Sequence, residues 1–95
     1  MSDIVILEPV LGLTAAAALK SELLAHRGKP VQVDASNVQR LGGLCLQVLV
    51  AGARLWAEEG RPFSLTPRSE AFAHALNLFG ATAQFENASA EGVAP

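Results

Sequence analysis

Cysteine, histidine and tyrosine are scarce: the 95-residue chain has one cysteine (Cys45), two histidines and no tyrosine. A lone thiol makes no intramolecular disulfide, and two histidines without a neighbouring cysteine or carboxylate cluster make no zinc site, so no metal is expected. Basic residues are also few. Seven Lys and Arg against nine Asp and Glu leave a net charge of -2, without the electrostatic footprint that DNA, RNA or an anionic membrane surface would require. The amino terminus, Met1-Ser2-Asp3, has no basic region and no long hydrophobic stretch after it, so no secretory signal is read there. The longest apolar stretches, around Ala15 to Leu19 and Leu44 to Ala53, are broken by Gln47 and Gly52 and fall short of a membrane span. A reducing cytoplasm is the expected location.

What the chain does have is apolar material. A hydrophobic fraction of 51% with 17% charged residues supports a real core and excludes a charge-driven disordered chain. The length suits one domain, expected over residues 1–85. The last ten residues, 86–95, are rich in Ala, Ser, Glu and Gly without periodicity and are expected to form a loose tail.

The order of patterns is that of an α/β protein. Ile4 to Leu7 is a β-branched run of the kind found in a buried strand, and Val10 to Leu13 is a second short extended piece. Thr14 stands where an N-cap belongs, before a helix from about Ala15 to His26 whose Ala16, Leu19 and Leu23 share a face suited to packing on a sheet. Gly28 ends that helix. Val31 to Ala35 alternates apolar and polar residues and is expected to be the central strand, with Ser36-Asn37 turning after it. A strand, helix, strand order predicts parallel pairing, in which partners meet the loops at the carboxyl ends of strands.

A second helix is expected from Gly43 to Glu59. Its apolar residues fall on two adjacent stripes, Leu44, Val48, Leu55 and Cys45, Leu49, Trp56, an arc wide enough to predict deep burial. Gly52 inside it costs about 1 kcal/mol relative to Ala, which close approach of a neighbour would explain. Glu58-Glu59 are expected to fray into solvent. Pro62 to Leu65 reads as a further strand, Thr66-Pro67 as a turn, and Ser69 as the cap of a third helix from Glu70 to Leu78 with Phe72, Leu76 and Phe79 inward. Gly80 closes that helix, and Ala81 to Phe85 is expected to add a short strand.

Chemistry-bearing residues are thin on the ground. His26, near the end of the first helix, is placed to cap carbonyls, and His74 lies outward four residues after Glu70. Cys45 sits near a helix start, where a thiol is activated, yet it also falls on an apolar stripe, where a buried inert thiol is the plainer reading. Gly42-Gly43 before a helix is a weak phosphate cradle, lacking both the spaced glycines of a dinucleotide fingerprint and the Lys-Ser/Thr of a P-loop; two glycines also simply allow a sharp turn. Asp34 with Ser36 and Asn37 reads either as a metal or phosphoacceptor site or as a self-satisfied turn, the latter favoured because no second carboxylate accompanies Asp34.

The stretch Val33-Asp34-Ala35-Ser36-Asn37-Val38, Gln39-Arg40-Leu41 and Gly42-Gly43-Leu44-Cys45-Leu46-Gln47-Val48-Leu49 resembles the STAS domain of anti-sigma factor antagonists. Gly60 to Leu65, Ser69 to Phe72 and the closing Leu76-Asn77-Leu78-Phe79-Gly80 continue that resemblance, which covers about Ile4 to Phe85. It implies a mixed four- to five-stranded sheet with about three helices packed on it, and a non-enzymatic regulatory adaptor without cofactors. Family members carry an Asp-Ser-Ser-Gly or similar segment where this chain has Gly42 to Cys45, and a partner kinase phosphorylates its second hydroxyl residue. Leu44 stands at that position and cannot accept phosphate; Ser36 is a substitute candidate. The interaction surface implied by the resemblance comprises Asp34, Ser36, Asn37, Gly42, Gly43, Leu44, Cys45, Gln47 and Arg54.

The Leu41 to Leu49 segment looks most like small single-domain STAS proteins of bacterial chemotaxis gene clusters. By that analogy the partner is a kinase with a GHKL-type ATPase domain, the chemotaxis histidine kinase or an anti-sigma factor. Three alternatives stand beside it. One is an accessory subunit of a lipid-type ABC transporter, docking on the transporter ATPase; another is a small enzyme or nucleotide binder using Gly42-Gly43 and Asp34; the third is a structural oligomer subunit.

Overall fold

The computed structural model describes residues 3–85; the expected carboxyl-terminal tail lies outside the described residues. Five strands and three α-helices follow in the order β1 (Asp3–Ile6), β2 (Val10–Leu11), α1 (Ala15–Ala25), β3 (Val31–Ala35), β4 (Arg40–Leu41), α2 (Gly43–Glu58), β5 (Phe63–Arg68) and α3 (Glu70–Leu78), closed by a 3-10 turn at Thr82–Phe85. The strands form two sheets rather than one mixed sheet. β1, β3 and β5 pair in the order β1-β3-β5, and β2 pairs with β4 in a separate ribbon. Every pairing is parallel, as the alternation of strands and helices requires when each connection crosses over a helix.

Register decides which residues make the core. Val5, Val33 and Leu65 lie side by side across the three strands and are fully buried. The row behind them, Ile4, Gln32 and Ser64, points the other way and is partly or largely exposed. The sheet therefore buries one face only, beneath the helices. Ile4 and Ile6 are more than half exposed, which corrects the expectation of a buried first strand: β1 is an edge strand, and of its four residues only Val5 reaches the core. A continuous β-branched run marks strand propensity, and it does not say how many faces are covered.

The helices stand close to their expected bounds, with differences in what they touch. α1 buries Leu19 and Leu23 and packs chiefly along α2 rather than on the sheet. Thr14 occupies its N-cap, but with helical backbone angles and no side-chain cap bond. α2 buries one of its two stripes: Cys45, Leu49 and Trp56 are inaccessible, whereas Leu44, Val48 and Leu55 face a groove. Trp56 sits edge-on to Phe63, and its indole N–H donates to the Lys29 carbonyl at 2.7 Å, so the largest core side chain leaves no polar atom unsatisfied. A Cβ on Gly52 would stand 3.3 Å from a Leu23 methyl and 3.5 Å from the Phe63 ring, the close approach its position in a helix predicted.

The remaining corrections concern strand and helix ends. β5 runs on through Thr66-Pro67 to Arg68 instead of turning there, which a proline permits because β5 is the other sheet edge. Ala81 to Phe85 forms a 3-10 turn rather than a strand, and drives Phe85 into the core. Phe79 lies outside, half exposed, just past the end of α3. Glu59 does not fray: it accepts a two-pronged contact from Arg27, at 2.8 and 2.7 Å. His26 caps no carbonyl with its ring, whose Nδ1 lies 2.8 Å from the Asp3 carboxylate and so ties the end of α1 to β1.

Candidate functional site

All three strands of the main sheet point the same way, so the segments after β1, β3 and β5 converge at one end of the sheet. The segment after β3 is held from both sides there. On one side Gln39 and Arg40 donate to the Pro9 carbonyl and Gly42 donates to the Leu11 carbonyl, at 2.7, 3.1 and 2.9 Å. On the other, the Ser69 amide donates to Ala35 and the Ser69 hydroxyl to the Val38 carbonyl. The same hydroxyl accepts from the Phe72 amide at 3.0 Å, making Ser69 the N-cap of α3. One serine thus couples the start of α3 to the loop that leads into α2.

Within that loop the Asp34 carboxylate accepts from the Ser36 amide at 2.9 Å and from the Ser36 hydroxyl at 2.6 Å. This is the self-satisfied turn, and both bonds favour the ionised acid, so the Ser36 hydroxyl first and its amide second hold the Asp34 carboxyl below the usual range. A phosphate on Ser36 would set a dianion against that carboxylate, which electrostatics opposes. Ser36 and Asn37 are exposed at the tip of the turn, and Val38 beside them is buried and pins it.

α2 begins where the loop ends. Gly42 is its N-cap with an extended backbone at φ -86° and ψ 163°, a conformation open to any residue. The requirement for glycine is spatial instead: a Cβ there would stand 2.9 Å from the Leu11 carbonyl oxygen, whereas one on Gly43 would meet nothing within 4 Å. Neither residue has the positive φ of a glycine-dependent turn. Because the Gly42 amide is committed to Leu11, it is not free for a phosphate.

The first turn of α2 splits the expected surface residues between inside and outside. Leu44 is 52% exposed, large and apolar, and Gln47 is exposed one turn on. Arg54 is exposed further along the helix, at seven-residue spacing from Gln47 and so on the same side. Cys45 is buried at 0% exposure, with its thiol directed at the Gly12 carbonyl at 3.5 Å. It therefore supports this surface from beneath instead of forming part of it. Burial first, and the Glu8 charge second, push the Cys45 thiol up from its ordinary pKa, opposite to a reactive cysteine.

Leu44 and Gln47 also form one end of a groove between α1 and α2 of about 460 Å³. Its walls include Leu23 and Leu24 from α1 and Val48 and Leu55 from α2, with Lys20 the one charged side chain. Sequence reasoning misses Val48 and Leu55 of the second apolar stripe, and Lys20, as surface residues. Periodicity shows which residues share a helix face; it carries no signal for whether a neighbouring helix closes over that face.

A parallel sheet covered on one side, with an exposed loop and helix start at its carboxyl end, defines a small α/β domain that offers a surface rather than an enclosed reaction centre. Among the described residues no group of three His, Cys, Asp or Glu is placed to hold a metal ion, and no helix is long and apolar enough to cross a membrane. The family model described as "Mlab, STAS domain" matches residues 2–85. The chain belongs to the STAS domain family, whose members are in general non-enzymatic regulatory modules that act by protein–protein interaction. No curated protein matches it.

Proposed function

We propose that this STAS domain is a cytoplasmic bacterial adaptor that docks on a kinase with a GHKL-type ATPase domain, the chemotaxis histidine kinase by analogy with the proteins its α2 segment resembles. The docking surface is the exposed turn Asp34, Ser36 and Asn37, the α2 start at Gly42, Gly43 and Leu44, and the outer face of α2 at Gln47 and Arg54. The observation that carries this reading is Leu44. A leucine more than half exposed in the first turn of a helix, where the family's acceptor hydroxyl would stand, retains an apolar contact and removes the phosphate switch. The adaptor consequently docks without being released by phosphorylation at that position.

Affinity capture from the native bacterium, with Leu44→Asp as the control, tests this. α2 has no acidic residue in its first turn, so an aspartate there gains about 0.3–1 kcal/mol from the helix dipole and leaves the fold intact while placing a charge in the contact. Enrichment of a GHKL-type kinase by the parent chain and its loss with Leu44→Asp is the expected result. Enrichment of a transporter ATPase instead would place the domain with a lipid-type transporter and refute the kinase reading.

A further inference from the structure

We infer that two copies of this chain pair antiparallel through the outer edges of their β1 strands, about a two-fold axis beside Val5. The inference begins with hydrogen-bond parity. In β1 the Asp3 amide donates to Pro30 and the amide of Leu7, just beyond the strand, donates to Asp34, at 3.0 and 2.9 Å, so the odd-numbered residues turn their backbone groups toward β3. Successive residues of a strand alternate. Ile4 and Ile6 therefore turn both N–H and C=O to the outer edge, where no described backbone or side chain meets them.

That edge is self-complementary. Antiparallel pairing about Val5 sets Ile4 opposite Ile6 of the second copy and Ile6 opposite its Ile4. Residues directly opposite with outward backbone groups form the closely spaced pair that exchanges both bonds. Each of the two Ile4/Ile6 pairs is of this kind, and no register slip is needed. The same pairing brings the side chains together: Ile4 and Ile6, 57% and 61% exposed, lie on the uncovered sheet face, and four isoleucines meet there as cross-strand neighbours. Asp3 points its carboxylate to the other face, toward His26, so no like charges meet among the isoleucines.

The two sheet edges are treated differently. On β5, Pro67 has no N–H to offer and the Arg68 side chain turns back to donate to the Leu65 carbonyl at 2.9 Å, devices that discourage strand addition. β1 has no proline or bulge, and its one charged side chain, Asp3 at the start of the strand, is tied to His26. Beside it α1 presents the small side chains of Ala15 and Ala18 together with Leu19 and Glu22. Pairing extends the sheet from three strands to six and leaves the α2 surface of each copy free. The contact is short, so the dimer is reversible and depends on concentration.

Sedimentation equilibrium of the full chain across a wide concentration range tests this. The expected result is a rise from 9.9 kDa toward twice that mass. Ile4→Pro deletes an outward N–H without touching the β3 ladder, and Ile6→Lys puts a charge into the isoleucine cluster; each raises the dissociation constant at least about tenfold, a loss of about 1.4 kcal/mol. Hydrogen exchange supplies the second readout: the Ile4 and Ile6 amides slow as concentration rises, while Val5, bonded to β3, is protected throughout. A constant monomer mass, a dimer unaffected by both variants, or Ile4 and Ile6 exchange independent of concentration would overturn the inference.

Discussion

Replacing Gly42 by alanine, with Gly43→Ala as its partner, probes the close approach of the α2 start to β2. Both substitutions stiffen the unfolded chain similarly, and each alone gains about 0.4–1 kcal/mol where the new side chain fits. Gly43 has open space for a Cβ. At Gly42 the added carbon lies 2.9 Å from the Leu11 carbonyl oxygen, which is itself held by the Gly42 amide at 2.9 Å. The chain can relieve the clash only by moving β2 away from the α2 start and lengthening that bond, so the overpacking cost of about 1–3 kcal/mol falls on Gly42→Ala alone. The entropic gain cancels between the two variants, so their stability gap contains that strain together with the preference of the N-cap for glycine over alanine. Urea unfolding followed by the fluorescence of the single tryptophan, Trp56, measures it, and in thermal unfolding each kcal/mol appears as about 4–8 °C. Equal stability of the two variants would refute the close-approach account of Gly42.

Three further outcomes follow from the geometry. Ser69→Ala removes the α3 cap and the donor to Val38 together, and is expected to cost about 0.5–2 kcal/mol, read as a lower urea midpoint. The Asp3 carboxyl is held below its ordinary value of 3.8, first by its hydrogen bond to His26; a depressed folded pKa gives stability that is present above 3.8 and is lost as pH falls through the lower folded value. Acid titration of stability should show this dependence and Asp3→Asn should lack it; an unchanged profile would remove Asp3 from the account. Cys45, buried and with its thiol pKa raised, should react with a thiol reagent only as fast as the domain unfolds, and rapid labelling of the native chain would contradict its placement.

Much of the fold was legible in the residues because several local rules agree on the same boundaries. Val31 to Ala35 alternates and is flanked by Pro30 and Ser36; α3 has its serine cap, its apolar spacing and its closing Gly80, which adopts φ 68°. Where the reading failed, only one rule was in play. Ile4 to Leu7 showed strand propensity without showing that the strand lies at an edge, and Ala81 to Phe85 is too short a run to distinguish a strand from a 3-10 turn. The wide apolar arc of α2 predicts burial of both stripes, although only the Cys45, Leu49, Trp56 stripe is covered. The candidate surface was legible as a place, since parallel pairing brings loops to one end of the sheet. Which of its residues face outward was not, and the structure separates exposed Leu44 from buried Cys45.

The adaptor reading is tested most directly by titrating the isotopically labelled chain with the ATP-binding domain of the captured GHKL-type kinase and following its amide resonances. The account predicts saturable shifts at Ser36, Asn37, Gly43, Leu44 and Gln47, absent with Leu44→Asp. Shifts confined to β1 or α3, or none at all, would contradict it.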